Sequence, residues 1–521
     1  MAYEIDWHQW QPQEHAVLCF LLTEDEVLLI HKKRGLGAGK VNAPGGRQEG
    51  SETLAATAIR ETEEEVGLVP TAPRYMGRMR FAFTDGYHLE VHIFTATHWT
   101  GTMQETDEAI PFWVSRDAIP YDRMWADDVF WLPHVLSGRR VEGEMVFQED
   151  SMLWWRVRYG EGEDMSSQQE TSLTRASFGE LSSGELVERF TLRGTGGMEV
   201  DIIDYGATIT AIRVPDHFGT VEDVTLGFDS LAGYTQDANP YMGSTVGRVA
   251  NRIARGRFTL NGTTYQVPCN EGTNHLHGGP GGFDRQMWRL TAATPGTEPQ
   301  LTFSHRSTDG TNGYPGTLSV TVSFTVTADN TLRITYTATT DAPTPVNLTN
   351  HTYLNLDRTD SVLAHRVQLN APAYTPINEQ LIPTGEIAPV TGTPFDFTTP
   401  REIGTVITVD DEQLRRAGGF DHNFVCHDTG ELAVIARVWG PESKRVMEVA
   451  TTEPGVQFYS GNFLDGTLVG RDGTVYRRNS GFCLETQHFP DAPNQPTFPS
   501  IVLSPGQTRS STTEYRFSVA P

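Results

Sequence analysis

Hydrophobic and polar positions follow two different grammars along this chain. Near the start, the apolar runs Ala16 to Leu22 and Val27 to Ile30 are broken by the polar quartet Thr23-Glu24-Asp25-Glu26, which predicts two strands joined by a turn. Leu54 to Val66 is dense in Ala and Glu and free of Gly and Pro, which predicts a helix. Further on, Leu318, Val320, Val322, Phe324 and Val326 alternate with Ser and Thr, and Ala328-Asp329-Asn330 turns the chain into Leu332, Ile334 and Tyr336. A period of two on both sides of a turn predicts an antiparallel hairpin. Short runs punctuated by Gly, Asn, Asp and Pro continue to the C-terminus, and no repeat of constant period intervenes, so an all-β sandwich is expected there. Between the two grammars lies GEGEDMSSQQETS, Gly160 to Ser172. It is polar and acidic, and it offers too little apolar surface to offset the entropy of ordering it. The expected organisation is a multi-domain chain: an α/β domain over 1–159, a linker over 160–179 and an all-β domain over 180–521.

Composition agrees with two or three domains. A chain of 521 residues exceeds what one hydrophobic core serves, and 50 glycines with 30 prolines favour turns and β-structure. The formal net charge of −26 argues against binding a nucleic-acid polymer, because phosphate contacts need clustered Lys and Arg. Cys19, Cys269, Cys426 and Cys483 are far apart with no C-x-x-C pair. Their spacing predicts buried free thiols in a reducing compartment rather than a disulfide framework or a thiolate zinc site. The N-terminal MAYEIDWHQWQPQEH lacks a basic stretch followed by an apolar core, and no run is long enough to span a bilayer. A cytoplasmic protein with no membrane partner is expected; oligomeric state has no readable signal.

The helix carries the first chemistry. From Gly46 the chain reads GRQEGSETLAATAIRETEEEVGL and fits G-x5-E-x7-R-E-U-x-E-E-x-G-U at Gly46, Glu52, Arg60, Glu61, Glu64, Glu65 and Gly67. On a helix Glu61, Glu64 and Glu65 share one side. Three crowded carboxylates repel one another unless a hard cation joins them, and Mg²⁺ is the obvious neutraliser. Such a cation could bridge diphosphate oxygens and activate water. Composition alone would favour a solvated acidic face, but the fixed Gly, Arg and Glu positions give the signature of the Nudix hydrolases, with Thr62 in place of the usual aliphatic residue. KKRGLGAGKVNAPGG, ETDEAIPFW and MWADDVFWLPHVLSGRRVEGEMVFQ narrow the resemblance, over about residues 15 to 158, to enzymes that hydrolyse oxidised purine nucleoside triphosphates. That resemblance implies a Nudix fold of mixed sheet and helices. Asn42, Trp125, Asp127 and Asp128 would line the base pocket, Lys32 would approach the phosphates or the attacking water, and Glu108 would add a metal-binding or basic carboxylate. Ala126 replaces an expected proline.

The second constellation is dispersed. DYGATITAIRVPD, GSTVGRVANRIARGRFTLNGTTY, NHLHGGPGGFDRQMW, VNLTNHTYLNL, FDHNFV, GVQFYSGNF and GFCLETQHFPDAPNQPTFPS occur in that order. Together they resemble the aldose 1-epimerases, or galactose mutarotases, over residues 180 to 521, and imply their β-sandwich. Anomer exchange requires one group to take the proton of the C1 hydroxyl and another to protonate the ring oxygen, with no cofactor. The resemblance implies Glu485 as base, His351 as acid and His277 as a hydrogen-bond partner of the ring oxygen or an adjacent hydroxyl. Asn251, Arg252, Asp421 and Gln457 would hold sugar hydroxyls. Taken singly, each has a duller explanation: a lone His among strands is usually a core or loop residue, as expected for His275, and Arg252 could be a surface ion pair.

The sequence therefore predicts an aldose 1-epimerase joined to a nucleoside triphosphate diphosphohydrolase, with a free sugar and a nucleotide as small-molecule partners. Two alternatives remain open: one domain is a non-catalytic sugar or nucleotide sensor, or the C-terminal domain acts on a hexose phosphate.

Overall fold

In the computed structural model, which describes residues 5, 7, 9–160, 172–426 and 430–520, the Ala- and Glu-rich run forms the helix Leu54–Val66. Thr53 caps it by accepting from the Ala56 N–H at 3.2 Å, and Gly67 ends it in the left-handed conformation, its N–H bonded to Glu63 O. Ala58 and Val66 bury against Val17, Cys19, Leu21, Leu28, Ile30, Phe94 and Ala96. Thr62 is fully buried and donates its hydroxyl to Ala58 O at 2.7 Å, so the polar substitution satisfies itself within the helix.

The chain divides into two units, Met1–Ser177 and Phe178–Pro521. In the first, one mixed sheet runs in the order Glu14–Leu21, His88–Ala96, Arg74–Phe83, Arg140–Gln148, Ser151–Gly160. A second sheet holds Val41–Asn42, Glu26–Lys32 and Ala109–Ser115. The turn expected at Thr23 to Glu26 forms, yet only Leu22 and Val27 bridge across it. The strands then part, one into each sheet. Val27, Leu28, Leu29 and Ile30 are all fully buried, and a run apolar on both faces needs cover on both sides, which a lone hairpin cannot provide. A second helix, Asp128–Leu136, follows the aspartate pair.

The two largest antiparallel sheets lying wholly within the second unit position its site. The larger has nine strands and contains the expected hairpin, Leu318–Val326 with Thr331–Thr340, in the register Val326↔Leu332, Phe324↔Ile334 and Val322↔Tyr336. The smaller has five: Ala388–Pro389, Ala373–Tyr374, Asp421–Val425, Gly455–Tyr459 and Cys483–Gln487. Thr486 bonds to Thr513 of the larger sheet at 2.6 Å, and Tyr515 donates to Leu484 O at 3.3 Å. Because side chains alternate along a strand, a Thr486 that faces the larger sheet turns Glu485 to the opposite face.

Of the linker expected over 160–179, residues 161–171 lie outside the described residues; Leu173–Glu180 is a strand whose Arg175 and Ala176 pair with Trp155 and Trp154. All four cysteines are free, but Cys269 is exposed, against the expectation that all four are buried. It sits in a polar loop, its thiol on Thr273 O. Among the described residues no helix is long and apolar enough to cross a membrane.

Candidate active sites

The first unit holds a cavity of about 450 Å³ lined by Lys32, Asn42, Glu61, Glu65, Glu108, Trp125, Asp127 and Asp128, together with Gly45 and Gly46. The sequence motif explains how it is built. Arg60 grips Glu52 through Nε and Nη2 at 3.2 and 2.7 Å and also holds Arg47 O, Glu61 and Glu64. Glu52, additionally bonded by the Glu49 N–H, is pulled down to about 2, with Arg60 the main cause. These two motif positions therefore fix the loop to the helix and leave catalysis to others. A Cβ at position 46 would lie 2.3 Å from Glu61 Oε2 and displace that carboxylate, and one at position 45 would lie 2.1 Å from the backbone carbonyl of Val17.

The predicted ligands are not equivalent. Glu65 is buried, taking Lys32 Nζ on Oε1 at 3.1 Å and the Gly45 N–H on Oε2 at 2.9 Å. Burial raises the Glu61 carboxyl, and Glu64 and Glu65 add to that rise while Arg60 opposes it. Glu64 is 61% exposed and is not among the residues lining the cavity. Glu108 lines it while pairing with Arg34. Across the cavity, Lys40 Nζ sits 4.7 Å from the centroid of Trp125. Asp127 accepts from Trp131 Nε1 at 2.9 Å and Asp128 from the Trp125 N–H at 3.0 Å. Burial pushes Asp127 up to about 6; burial and the Asp127 charge push Asp128 well above the carboxylate range. Neighbouring acids of this kind do not both ionise at neutral pH, so the pair offers a donor as well as acceptors.

The second site draws on six places in the sequence. Asp421↔Tyr459, Asn423↔Gln457 and Gln457↔Glu485 are cross-strand pairs, which puts Asp421, Asn423, Gln457 and Glu485 on one face. His351 is pinned at both backbone groups, its N–H on Ser244 O and its carbonyl accepting from Gly243. His277 donates its N–H to Asn251 O and accepts the Asn251 N–H on Nδ1 at 3.2 Å. Its remaining nitrogen, Nε2, is then the one that carries the proton of the neutral ring. Asn251 and His277 have positive φ, +60° and +50° respectively, a conformation held by these reciprocal bonds.

The catalytic candidates converge. His351 Nε2 is 3.6 Å from Glu485 Oε1, and the His277 and His351 rings meet edge to face at 5.1 Å. Arg252 takes Glu271 with Nε and Nη2 at 2.7 and 2.6 Å and reaches Asp421 at 3.4 Å, while Gln457 donates to Asp421 at 2.7 Å. Asn251 Oδ1 accepts the Arg252 N–H. Burial drives His351 down to about 4 and lowers His277 well below the usual range, the latter helped by His351 and Arg252. Burial and Asp421 raise Glu485 far above the carboxylate range, against Arg252. Glu485 Oε2 and Gln457 Oε1 are buried and have no hydrogen-bond partner among the described residues, so their accepting capacity is free for a ligand.

Family models match both units: aldose 1-epimerase over residues 188–516 and NUDIX domain over 12–135. The chain belongs to the aldose 1-epimerase family. It is an enzyme, an aldose 1-epimerase carrying a Nudix hydrolase domain. It is 50% identical over 352 residues to the galactose mutarotase of Rattus norvegicus, covering 67% of this chain and 99% of that protein. It is 41% identical over 338 residues to the aldose 1-epimerase of Escherichia coli (strain K12), covering 64% and 96%. Among solved structures, galactose 1-epimerase from Lactobacillus acidophilus NCFM superposes on the epimerase domain with a TM-score of 0.60 at 27% identity, covering 67% of this chain and 100% of that one.

Some epimerase residues escaped the reading of the sequence. Tyr241 packs its ring 4.6 Å from His277 and 5.9 Å from His351, and its adjacency to GSTVGRVANR was the available clue. Cys483 Sγ lies 3.6 Å from His351 Nδ1; strand alternation two residues before Glu485 predicts that face. Glu271, the clamp on Arg252, carries no local signal. His275 bonds Pro268 O and Tyr314 and is structural, as expected.

Proposed function

We propose that the C-terminal domain interconverts the α and β anomers of free aldohexoses, galactose and glucose among them, through Glu485 and His351. The observation that carries this is the 3.6 Å pair facing a buried set of unpaired polar atoms. The C1 hydroxyl and the ring oxygen share one carbon, so the base and acid that serve them must converge closely. Glu485 takes the hydroxyl proton while His351 gives one to the ring oxygen; the C1–O bond breaks and the aldehyde forms. Rotation about C1–C2 and the reverse transfers close the other anomer. In the free site the shifts favour the proton on Glu485. Hydroxyls donating to that carboxylate, with Arg252 beside it, favour its ionised form and transfer of the proton to His351. His277 would bond the ring oxygen or its neighbour, and Asn251, Arg252, Asp421 and Gln457 the remaining hydroxyls.

The phosphate alternative is disfavoured by where the arginines are spent. Arg248 is wrapped by the carbonyls of Ser307, Pro315 and Gly316, and Arg252 by two carboxylates. Glu485→Gln and His351→Asn should each reduce anomer exchange about 10²–10⁴-fold in polarimetry of fresh α-D-galactose, with sugar binding still measurable by calorimetry. Exchange near the wild-type rate would reject the assignment. Binding without turnover in the wild type would favour the sensor.

For the N-terminal domain the reading is hydrolysis of a nucleoside triphosphate, an oxidised purine nucleotide, to the monophosphate and diphosphate. Glu61, Glu65 and Glu108 present hard carboxylate oxygens suited to Mg²⁺, with Glu64 farther out. Bound there, the ion would neutralise phosphate charge and make water more acidic. Trp125 offers a stacking face, Asn42 and the Asp127–Asp128 pair offer donors and acceptors to a purine edge, and Lys32 stands beside Glu65 where phosphate would enter. Pyrophosphate release from a nucleotide panel with and without Mg²⁺ tests this. The free thiols fit a reducing, cytoplasmic setting.

A further inference from the structure

Behind the nucleotide cavity, on the other face of the same sheet, three metal-ligating side chains meet. Leu89 and Val91 line the cavity, so Glu90 and His92, alternating with them, point away from it. His15 is paired in register with Glu90 on the neighbouring strand. His15 Nδ1 and His92 Nε2 are 3.2 Å apart, and Glu90 Oε2 lies 3.4 Å from the first and 3.3 Å from the second. Glu90 and His92 are buried, while the His15 side chain is 41% exposed and leaves an approach from solvent.

We propose that His15, Glu90 and His92 bind a four-coordinate divalent transition metal, zinc in preference to magnesium, with water in the fourth position. Zinc bound to nitrogen and oxygen at about 2.0–2.1 Å in a tetrahedron separates its ligand atoms by about 3.3–3.4 Å. All three edges of the triangle fall near that length. Two imidazoles and one carboxylate suit zinc, whereas magnesium demands oxygens. The surroundings are arranged for a ligand set. The second ring nitrogen of His92 faces the Tyr75 hydroxyl at 3.4 Å, which holds Nε2 toward the triangle. Glu90 divides its oxygens: Oε1 takes Arg80 at 3.4 Å and Arg78 at 3.5 Å, and Oε2 is given to the histidines. Those guanidiniums are themselves offset by Glu142 and Glu144. An ion here would staple Glu14–Leu21 to His88–Ala96 and stabilise the unit by mass action.

The test uses the full chain, stripped with chelator and held in excess Mg²⁺, titrated with Co²⁺ and then Zn²⁺. The expected result is the intense ligand-field absorption of four-coordinate cobalt, displaced by zinc, with a rise in the melting temperature of the N-terminal unit. His15→Ala, at a partly exposed position, should lower affinity at least about 100-fold and Tyr75→Phe about 10-fold. His277, His351 and Glu485 also lie within ligand distance of one another, so His351→Asn is the control and should leave the signal intact. Absence of a saturable four-coordinate signal, its survival in His15→Ala, or its loss in His351→Asn would each overturn the proposal.

Discussion

The two active sites handle buried charge in opposite ways. In the N-terminal unit, carboxylates ride on one helix beside an open cavity of about 450 Å³, and they are steadied by Arg60 and Lys32 from neighbouring positions. In the C-terminal unit, the proposed acid and base, His351 and Glu485, are both nearly inaccessible and face each other at 3.6 Å. The first sets cations beside its helix carboxylates, Arg60 on Glu61 and Glu64 and Lys32 on Glu65. The second removes its groups from water until Glu485 prefers to be neutral and His351 prefers to be unprotonated, so a substrate must supply the hydrogen bonds that restore the reactive state. One site places cations beside its helix carboxylates, and the other withholds water and leaves its two groups facing each other.

The sharpest way to break this contrast is Glu65→Gln. It removes the partner of Lys32 and should lower nucleotide hydrolysis about 10²–10⁴-fold while polarimetry on the same preparation is unchanged. Equal losses in both assays would mean that the sites are not separate. Arg252→Leu comes next. It strips Asp421 and Glu271 of their buried partner and should cost about 3–5 kcal/mol, read as a lower unfolding midpoint of the C-terminal unit; a negligible shift would show that counterions matter less there than argued.

Asp127→Asn tests desolvation on the N-terminal side. Asp127 rises from 3.8 to about 6 in the folded state, so the native form holds its proton more tightly. The stability this contributes is full below pH 3.8 and is lost as pH rises through about 6. The asparagine variant should therefore melt higher than wild type above pH 6, by up to about 3 kcal/mol, and lose that advantage toward pH 4. A pH-independent difference would remove the assignment. The smallest effect is expected from Cys483→Ala. A weak contact of the thiol type is worth about 0.5–1 kcal/mol, so anomer exchange should slow about 2–5-fold; a larger loss would make the thiol part of the proton path.

What the sequence made legible follows the same divide. The helix Leu54–Val66 and the hairpin at 318–340 were readable because their periodicity and caps are local. The motif spacing located Glu61 and Glu65 on the cavity, but helical phase alone could not tell that Glu64 lies farther round, toward solvent. The separation of Ala16–Leu22 and Val27–Ile30 into two sheets was hidden, because burial on both faces is decided by elements far along the chain. In the epimerase domain, the ordered strings named the residues, yet only the register of Asp421–Val425, Gly455–Tyr459 and Cys483–Gln487 explains why Asp421, Gln457 and Glu485 share a face. Glu271 and Tyr241 reach the site through loops with no periodic signature, and Cys269 was misjudged because spacing does not report exposure.

Strand His88–Ala96 lines the N-terminal cavity with its odd-numbered residues Leu89 and Val91, and the histidine triangle with its even-numbered Glu90 and His92. Substitutions along it can therefore drift independently on the two faces, whereas inserting or deleting one residue would exchange the faces and damage both at once. For variant libraries this strand is a segment to diversify by point replacement and never by length.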